Sequence, residues 1–501
     1  MGAPETQSYE RLQSSEIGEQ PLSFDTIEPM HSSWVVQKFG GTSLGSFAPK
    51  IVEDIVIELD LLLLKIEWWS FVPRPVDLQR RMELQIGKIF PRWIEADHIL
   101  AAQREVDCPS LQESLIESIQ HECRVVMSIL GAARLLSEMS PACVGRVVSA
   151  GEKLSCHHMV ALLRQQGHKA EVVDASNLGI SLRDQDFHNG LRDTVAKKLA
   201  YKVNHVDGIP VLTGYFGFSA TSTALELVGR GYTDLCASLV ASGLSAINLQ
   251  IWKEVDGVFS ADPRHIPDAR LLHSLSIAEL RDLTFLGSEV VHSTAVDVAE
   301  SQNLTIYVRN VVSPKAQGTL ITPKPPNPKA RLTAITTRSS IAVLTFHCRP
   351  RDSTCAIYSY ISEALQRWEL SADIMSTNKT SISLAVSLPD DFSHSRTESF
   401  ELRIRLVIED LTPHFVGIAL ATKAAIISVV CRPAGIRDCV MATMLRTLNQ
   451  KTMRVYMTMN GVSDISAGCV IEEKHVREAA EAIHYELFQV PGIVTPPSGM
   501  D

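Results

Sequence analysis

Short apolar runs that end in glycine-containing turns recur along residues 34–310, and amphipathic or small-residue segments separate them. The pattern predicts strands at residues 34–39, 147–149, 209–213 and 249–255. It predicts helices at residues 47–56, from about 152 onwards, and at 235–242. Strands that alternate with helices favour an α/β fold, with a mostly parallel sheet covered on both faces. Ligands of such folds bind at the carboxyl ends of the strands, where these turns lie.

The turn after the first strand has the composition of a phosphate site. Lys38 stands near the end of the strand, and Gly40, Gly41, Thr42 and Ser43 follow it. Glycines let backbone N–H groups approach an anion, hydroxyl groups can donate, and the lysine supplies a positive charge. The spacing is not that of a Walker A loop. The alternative is an ordinary strand–turn–helix connection with a lysine whose amine reaches solvent.

Other turns carry further polar candidates. Glu152 lies in a Gly-Glu-Lys-Leu-Ser segment at a predicted helix start, and Thr213 ends a predicted buried strand. Two glycine- and aspartate-containing segments supply the remaining candidates of this part of the chain: Gly229, Arg230, Gly231, Thr233 and Asp234 in the first, and Lys253, Asp256, Gly257, Asp262 and Arg264 in the second.

Composition narrows the class of protein. The chain has 501 residues, of which 45% are hydrophobic and 21% charged, as expected of a globular protein with roughly two to four domains. A net charge of −10 without a basic cluster argues against general nucleic-acid or membrane-surface binding. The ten cysteines lack paired C-x-x-C spacing, so we predict no metal site and reduced thiols in a cytoplasmic protein. Residues 1–33 are polar and acidic, and we expect a disordered tail rather than a signal peptide.

Four motifs in a fixed order resemble those of aspartate kinases of the amino-acid kinase family, and the fungal enzymes most closely. They are KFGGTS at 38–43, GEKLS at 151–155, VGRGYTDL at 228–235 and WKEVDGVFSADPR at 252–264. The resemblance covers most of residues 34–322 and continues more loosely to 490. It implies an amino-acid kinase fold followed by tandem α+β ACT domains. It also implies transfer of the ATP γ-phosphoryl group to the β-carboxylate of L-aspartate, a first step towards threonine and methionine.

The resemblance assigns roles to the candidate residues. The catalytic set is Lys38, Gly40, Gly41 and Asp234, in which the lysine neutralises the transferring phosphoryl group. The aspartate-binding set is Thr42, Ser43, Glu152, Thr213 and Arg230, in which Arg230 clamps the α-carboxylate and Glu152 takes the α-ammonium group. The nucleotide-binding set is Gly229, Gly231, Thr233, Lys253, Asp256, Gly257, Asp262 and Arg264.

The implied chemistry needs no general base, because a carboxylate is already ionised near pH 7. Catalysis then depends on positioning and on positive charge. Mg²⁺ is expected to arrive with the ATP phosphates rather than in a protein cage.

Individual assignments have structural alternatives. Glu152 is also suited to a helix start, where an acid favours the helix dipole. Arg230 fits a surface glycine turn, Asp262 before a proline fits a turn, and Lys253 fits the end of a sheet. His292 resembles part of a family motif, and we expect it to serve packing or an interdomain contact.

Residues 57–92 depart from the family pattern. A second strand and a small-residue turn that lends amides to the phosphate site are expected there, but residues 66–75 show neither strand alternation nor a helical period. A shifted reading frame accounts for this. Joining the third base of each codon to the first two of the next permits Cys, Ser and Ala in a row from residues 71–74. The same operation forces a glycine from Met82 and Glu83.

We therefore hypothesise that residues 60–92 are the family segment translated in the wrong frame, with the original frame regained before residue 94. If the chain is real as written, an inner strand and a phosphate-binding turn are lost.

The C-terminal part has the pattern of two sensing modules. Residues 34–322 form the predicted catalytic domain and residues 323–330 a proline-rich linker. ACT domains are predicted at 331–423 and 424–490, followed by a tail at 491–501. By resemblance the effector is threonine, the ACT domains form a homodimer or higher oligomer, and the effector residues are Ser376, Thr377, Met457 and Asn460.

Two function classes remain open at this stage. The first is an active aspartate kinase, of primary metabolism or of a biosynthetic cluster that draws on aspartate. The second is a non-catalytic paralogue that keeps the amino-acid sites and acts as a regulatory subunit. The candidate site residues favour catalysis, whereas the aberrant segment favours the second class. Lys379 and Asn460 depart from the family pattern, which leaves feedback control open.

Overall fold

The computed structural model describes residues 34–56, 62–64, 86–176, 178, 191–216, 231–288, 290–324, 332–349, 354–388, 397–432, 436–459 and 465–489. The predicted tails at 1–33 and 491–501 and most of the predicted linker lie outside these ranges. Within them, no helix is long and apolar enough to cross a membrane.

The N-terminal part is a mixed α/β unit. Its strands are β1 (Val35–Phe39), β2 (Leu62–Leu64), β3 (Ala170–Val173), β4 (Ile209–Leu212), β5 (Asn248–Lys253), β6 (Ser274–Ser276), β7 (Ile306–Asn310) and β8 (Thr319–Thr322). Its helices are α1 (Gly41–Asp54), α2 (Ile86–Glu105), α3 (Pro109–Leu136), α4 (Pro141–Gln165), α5 (Leu191–Asn204), α6 (Tyr232–Gly243), α7 (Ile277–Phe285) and α8 (Ser293–Ser301).

These strands form one eight-stranded sheet in the order β3-β4-β2-β1-β5-β7-β8-β6. All pairings are parallel except that between β7 and β8. Neighbouring strand residues point to opposite faces, so Val211 joins the core on the side of α1 to α4 and Leu212 joins the core on the side of α5 to α8. The predicted parallel sheet with helices on both faces is confirmed.

Two local predictions were wrong. The apolar run at 147–149 was predicted to be a strand, but it lies within α4, whose N-cap Ser140 accepts a hydrogen bond from the Cys143 N–H. A helix buried on most of its surface has the same apolar run as a buried strand, so periodicity does not separate the two. The first helix was predicted to begin at residue 47, but it begins at Gly41. Phe47 lies at a kink inside it.

The aberrant segment falls mostly outside the described residues. The exception is β2, a three-residue strand that pairs in parallel with both β1 and β4. An inner strand is therefore present at this place in the sheet, although the sequence as written was expected to lose it. The predicted phosphate-binding turn of this segment lies outside the described residues.

The C-terminal part is an α+β unit, whose strands all pair in antiparallel fashion. Its strands are β9 (Leu332–His347), β10 (Ser371–Thr377), β11 (Ser381–Ser387), β12 (Gly417–Cys431), β13 (Val455–Met459) and β14 (Ser466–Glu472). Its helices are α9 (Thr354–Arg367), α10 (Thr397–Leu411), α11 (Arg437–Gln450) and α12 (Val476–His484), the last continued by a π-helical turn (Tyr485–Gln489). The strands form a six-stranded sheet in the order β10-β11-β9-β12-β14-β13.

Two long strands run through both halves of this sheet. Residues 341–347 of β9 pair with β11 and with the first half of β12, whereas residues 332–338 pair with the second half of β12. Ile335 accordingly packs in one core with α11 and α12, and Leu344 packs in another with α9 and α10. Residues 332–338, which the sequence analysis placed in the first module, therefore belong structurally to the second.

Candidate active site

A buried ion pair lies at the carboxyl end of the central strands. The Lys38 amine on β1 is 2.6 Å from Oδ1 of Asp234, which lies in the first turn of α6. Both side chains are only 7% exposed. The His292 N–H also donates to Oδ2 of Asp234 at 3.3 Å. The carboxylate therefore holds the lysine amine at a fixed position at the end of β1, as expected for a cation that must meet a phosphoryl group.

Two helices begin next to the residues of this pair along the chain. Gly40 is the N-cap of α1 and provides no side-chain cap, and Gly41 is its first residue. Gly231 is the N-cap of α6 with φ of +90°, a conformation that favours glycine. A Cβ at Gly231 would also lie 2.6 Å from the His292 ring. Uncapped helix N-termini attract anions because of their N–H groups and dipoles.

The end of β5 is joined to the start of α1. The Ser43 hydroxyl donates to Oε1 of Glu254 at 2.6 Å, and Ser43 is fully buried. Lys253, the residue before, is half-buried at the end of β5. Thr42 lies in the first turn of α1, and its side chain is outside the described residues.

Glu152 is a second buried acidic residue of the site. It lies in the middle of α4 rather than at a helix start, so it cannot serve the helix dipole as the alternative interpretation proposed. Its Oε2 accepts from the Tyr215 N–H at 2.6 Å and its Oε1 accepts from the Tyr232 hydroxyl at 2.5 Å. The two tyrosine rings meet edge to face at 5.7 Å. Glu152 is 2% exposed, so these donors fix its carboxylate.

The residues after β4 approach the start of α6 closely beside Glu152. Thr213 is fully buried, and its hydroxyl accepts from the Ala175 N–H at 2.9 Å, which joins the ends of β3 and β4. A Cβ at Gly214 would lie 2.4 Å from the Thr233 methyl group and 3.5 Å from Oε2 of Glu152. Glycine at this position therefore allows Thr233 to lie next to the Glu152 carboxylate.

Two buried thiols lie near Glu152 and are chemically inert. Burial, with a smaller contribution from the Glu152 charge, raises the pKa of Cys156 and of Cys236 well above the usual range. Both thiols therefore stay protonated and are poor nucleophiles. All ten cysteines lie in the described residues, and none forms a disulfide.

We call residues 256–272 the nucleotide loop, which follows β5. The Asn310 amide at the end of β7 donates to Oδ1 of Asp256 at 2.7 Å. Gly257 has φ of +143°, and a Cβ there would lie 2.4 Å from the Thr319 hydroxyl. That hydroxyl accepts from the Val258 N–H at 2.9 Å. The start of the loop is thus fixed by residues of β7 and β8.

The middle of the loop is more exposed. Arg264 donates to both carboxylate oxygens of Asp262, and its own N–H donates to Oδ1 at 2.9 Å. The hydrogen bond from Arg264 holds the pKa of Asp262 below its usual value. The bond to the backbone N–H of Arg264 has the form expected of a turn-forming aspartate, the alternative weighed for this residue.

The remaining candidates are separate from this site or lie outside the described residues. Gly229, Arg230 and Asn460 lie outside them. Ser376 and Thr377 are exposed on β10, an edge strand of the C-terminal sheet. Met457 is buried in β13 at the opposite edge of the same sheet. The structure therefore joins Lys38 to Asp234 and places Glu152 near Thr233, whereas Ser376, Thr377 and Met457 lie in the C-terminal sheet.

The sequence analysis missed several residues of the site: Tyr215, Tyr232, Glu254 and Asn310. Tyr232 lies within the VGRGYTDL motif and Glu254 within WKEVDGVFSADPR, so both had a signal in the sequence. Asn310 ends a strand, which is also a usable signal in a parallel sheet. Tyr215 had no signal beyond its place next to Gly214, since a lone aromatic residue usually packs in a core.

Among the residues that the structure describes, no group of three or more His, Cys, Asp or Glu side chains could hold a metal ion. The described part of the site instead offers amides, hydroxyl groups and a lysine, which are ligands for phosphate groups.

Comparisons with known proteins agree with this geometry. The amino acid kinase family model matches residues 95–310. The aspartokinase of Saccharomyces cerevisiae is 33% identical, over 93% of this chain and 95% of the yeast protein. The aspartokinase of Schizosaccharomyces pombe is 32% identical with the same coverages, and the aspartate kinase FUB3 of Gibberella fujikuroi is 29% identical over 91% of this chain and 98% of its own.

The fold also matches a solved structure along almost its whole length. Escherichia coli aspartokinase III in complex with aspartate and ADP superposes with a TM-score of 0.70 at 21% identity. The match covers 91% of this chain and 100% of the bacterial one. At this identity the similarity establishes the fold, including the C-terminal sheet. Together with the identity to the fungal proteins, it shows that the chain belongs to the aspartokinase family.

Proposed function

We propose that this protein is an aspartate kinase, which transfers the γ-phosphoryl group of ATP to the β-carboxylate of L-aspartate. The observation that carries the proposal is the buried Lys38–Asp234 pair, which joins the end of β1, directly before α1, to the first turn of α6. The relatives named aspartokinase, and the bacterial structure described as a complex with aspartate and ADP, support this choice of substrates.

The described residues divide the work of the reaction. Lys38 and the amides at the start of α1 offset the negative charge of the transferring group, which lowers the repulsion between two anionic substrates. Glu152, whose carboxylate Tyr215 and Tyr232 hold in place, binds the α-ammonium group of aspartate. The nucleophile is ionised, so no residue has to remove a proton.

We assign the nucleotide to Lys253 and to the nucleotide loop, and the family motif adds Gly229, Gly231 and Thr233. Arg230, assigned to the α-carboxylate of aspartate, lies outside the described residues and stays a proposal from the family motif. The described residues contain no cluster of carboxylates that could hold Mg²⁺. We therefore assign the ion to the ATP phosphates, where it supplies further positive charge.

Regulation and location are also proposals. We infer that Ser376, Thr377, Met457 and Asn460 serve the binding of an effector amino acid such as threonine. The bacterial relative has also been solved with lysine and aspartate. We further infer a cytoplasmic homodimer or higher oligomer through the C-terminal sheet. The domain divisions at 322, 330 and 490 also stay proposals.

The second candidate is a non-catalytic regulatory paralogue, and the segment at 60–92 favours it. The family match begins at residue 95, directly after this segment, and omits the KFGGTS motif at 38–43. A frame-shifted segment accounts for such a gap. Sequencing the transcript across codons 55–95 tests the frameshift hypothesis. A single continuous frame that encodes this chain contradicts the frameshift.

Activity is tested by trapping aspartyl phosphate with hydroxylamine, using purified protein, ATP, Mg²⁺ and aspartate. Three proteins are compared: the chain as written, a version with residues 60–92 restored to the alternative frame, and Lys38→Met as the blank. Product from either of the first two supports the kinase. Product from the restored version alone assigns the defect to the segment, and no product from either supports the regulatory paralogue.

A further inference from the structure

The nucleotide loop is held from outside the catalytic domain. The Ile335 N–H on β9 donates to the Ser260 carbonyl at 2.7 Å. The Ser260 hydroxyl is 3.1 Å from Nε2 of His484, the last residue of α12. Further along the loop, the Arg270 guanidinium donates to Oε1 of Gln489 at 3.0 Å. Three hydrogen bonds from the second C-terminal module therefore reach one short stretch of the loop.

Apolar packing reinforces these bonds. Ala261 and Ile266 of the loop are 5% and 6% exposed, and they belong to the core of the second module. Their cluster includes Ile335 on β9 and Ile483 on α12. The loop thus places part of its own chain inside that module, while Asp262 and Arg264 stay nearer the surface.

The hydrogen bonds at Ser260 define the role of His484. The Ser260 hydroxyl oxygen already accepts from the Arg270 N–H at 2.9 Å, so its proton is free to be donated to the histidine. His484 is 1% exposed and its ring stacks on Phe488 at 4.6 Å, which fixes the orientation of Nε2. Burial, and to a lesser degree the Arg270 charge, lower the pKa of His484, while Asp268 opposes this. A neutral ring can accept the serine proton.

We propose that His484 is a positioning residue for the nucleotide: through Ser260 it fixes the loop, so the second C-terminal module sets the affinity for ATP without touching the aspartate pocket. This inference rests on the proposed function for its choice of ligand. The selectivity follows from the contacts, since Glu152 is held by Tyr215 and Tyr232, which belong to the catalytic domain. Loosening the loop should therefore weaken nucleotide binding selectively.

The test uses the full-length protein and four variants. His484→Leu removes the acceptor, His484→Gln keeps an acceptor at a similar reach, and Ser260→Ala removes the donor. His273→Gln is the matched control, since His273 is an exposed histidine directly after the loop. Three quantities are measured. They are the affinity for MgADP by calorimetry, the KM values for ATP and for aspartate, and the amide hydrogen exchange of residues 258–272.

We expect His484→Leu and Ser260→Ala each to weaken MgADP binding and raise KM for ATP about tenfold, the size of one lost hydrogen bond of this kind. KM for aspartate should change by less than about twofold, and the loop should exchange faster. His484→Gln and His273→Gln should stay near the wild type. The double variant should be no worse than Ser260→Ala alone, because Ser260→Ala already removes the bond to His484, together with the acceptor of the Arg270 N–H.

Additive effects in the double variant would overturn the proposal, as would equal changes in both KM values or unchanged exchange in the loop. Should His484→Leu fail to fold, Ser260→Ala and His484→Gln decide the question alone. A wild-type protein that binds no MgADP contradicts the proposed function. The exchange measurement then still decides whether His484 holds the loop.

Discussion

The two halves of the candidate site are built differently. On the side that we propose for aspartate, Glu152 and Thr213 are almost completely buried and are held by donors fixed in helices and strand ends. On the side that we propose for the nucleotide, Asp262 and Arg264 lie on an exposed turn and pair with each other. One half is formed before any ligand arrives, whereas the other depends on how its loop is held.

This difference predicts where changes will matter. Removing a buried charged group affects binding, catalysis and stability together, because the group left behind has no water to replace its partner. Changing an exposed loop residue affects little beyond its own contacts. The four variants below test this division, from the largest expected effect to the smallest.

Lys38→Met should have the largest effect. It removes the cation placed at the transferring phosphoryl group, and we expect kcat to fall about 10³-fold. It also leaves the Asp234 carboxylate buried without its 2.6 Å partner, which should lower the free energy of unfolding by about 3–5 kcal/mol. Hydroxamate assays and urea denaturation measure the two effects. Lys169→Met, at an exposed ion pair, is the control and should change neither; a comparable loss there would remove the contrast.

Glu152→Gln should act selectively on aspartate. The amide cannot accept from both Tyr215 and Tyr232 in the same way, and it loses the charge that attracts an ammonium group. We expect KM for aspartate to rise about 100-fold, with KM for ATP within about twofold. Tyr232→Phe removes one of the two donors and should give a smaller rise in the same constant. A larger change in KM for ATP would show that Glu152 does not belong to the aspartate side.

Asn310→Ala should affect the nucleotide side moderately. It removes the amide that donates to Asp256 at 2.7 Å, and we expect KM for ATP to rise about fivefold, near 1 kcal/mol of binding free energy. Steady-state kinetics with ATP as the varied substrate measure it. Asn204→Ala, at an exposed position on α5, should leave KM unchanged. An unchanged KM for Asn310→Ala would mean that Asp256 needs no such support.

Asp262→Asn should have the smallest effect on stability. The pair with Arg264 is exposed, so its removal should change the free energy of unfolding by less than about 0.5 kcal/mol at pH 7. Because Arg264 lowers the pKa of Asp262 in the folded protein, the small stabilisation exists above the unfolded value near 3.8 and disappears as the pH falls through the folded pKa. Denaturation curves at pH 7 and below pH 4 measure it. A loss of several kcal/mol would show that this turn is structurally as critical as the buried pair.

The sequence predicted the strand ends that carry the site because each is a short apolar run followed by glycine and polar residues. Lys38, Thr213 and Lys253 are all found at such ends. The helix over residues 147–149 was not predictable in this way, since apolar residues on a buried helix and on a buried strand look alike over three positions. The start of α1 at Gly41 was missed because glycine has low helix propensity, which tertiary packing here overrides.

Contacts between distant parts of the chain were also beyond the sequence. Nothing in the local pattern of residues 332–338 reveals that they pair with residues 426–431 rather than with their own neighbours. The bond between Ser260 and His484 spans 224 positions and depends on that same packing. Tyr215 was missed for a related reason: only the folded chain brings its N–H to Glu152.

Because β9 and β12 each extend through both halves of the C-terminal sheet, neither half is a detachable part. Cutting the chain between residues 423 and 424 would split a continuous strand and expose the cores on both sides of it. A change of twist at one edge of this sheet would therefore reach the opposite edge through the backbone that β9 and β12 share between the two halves.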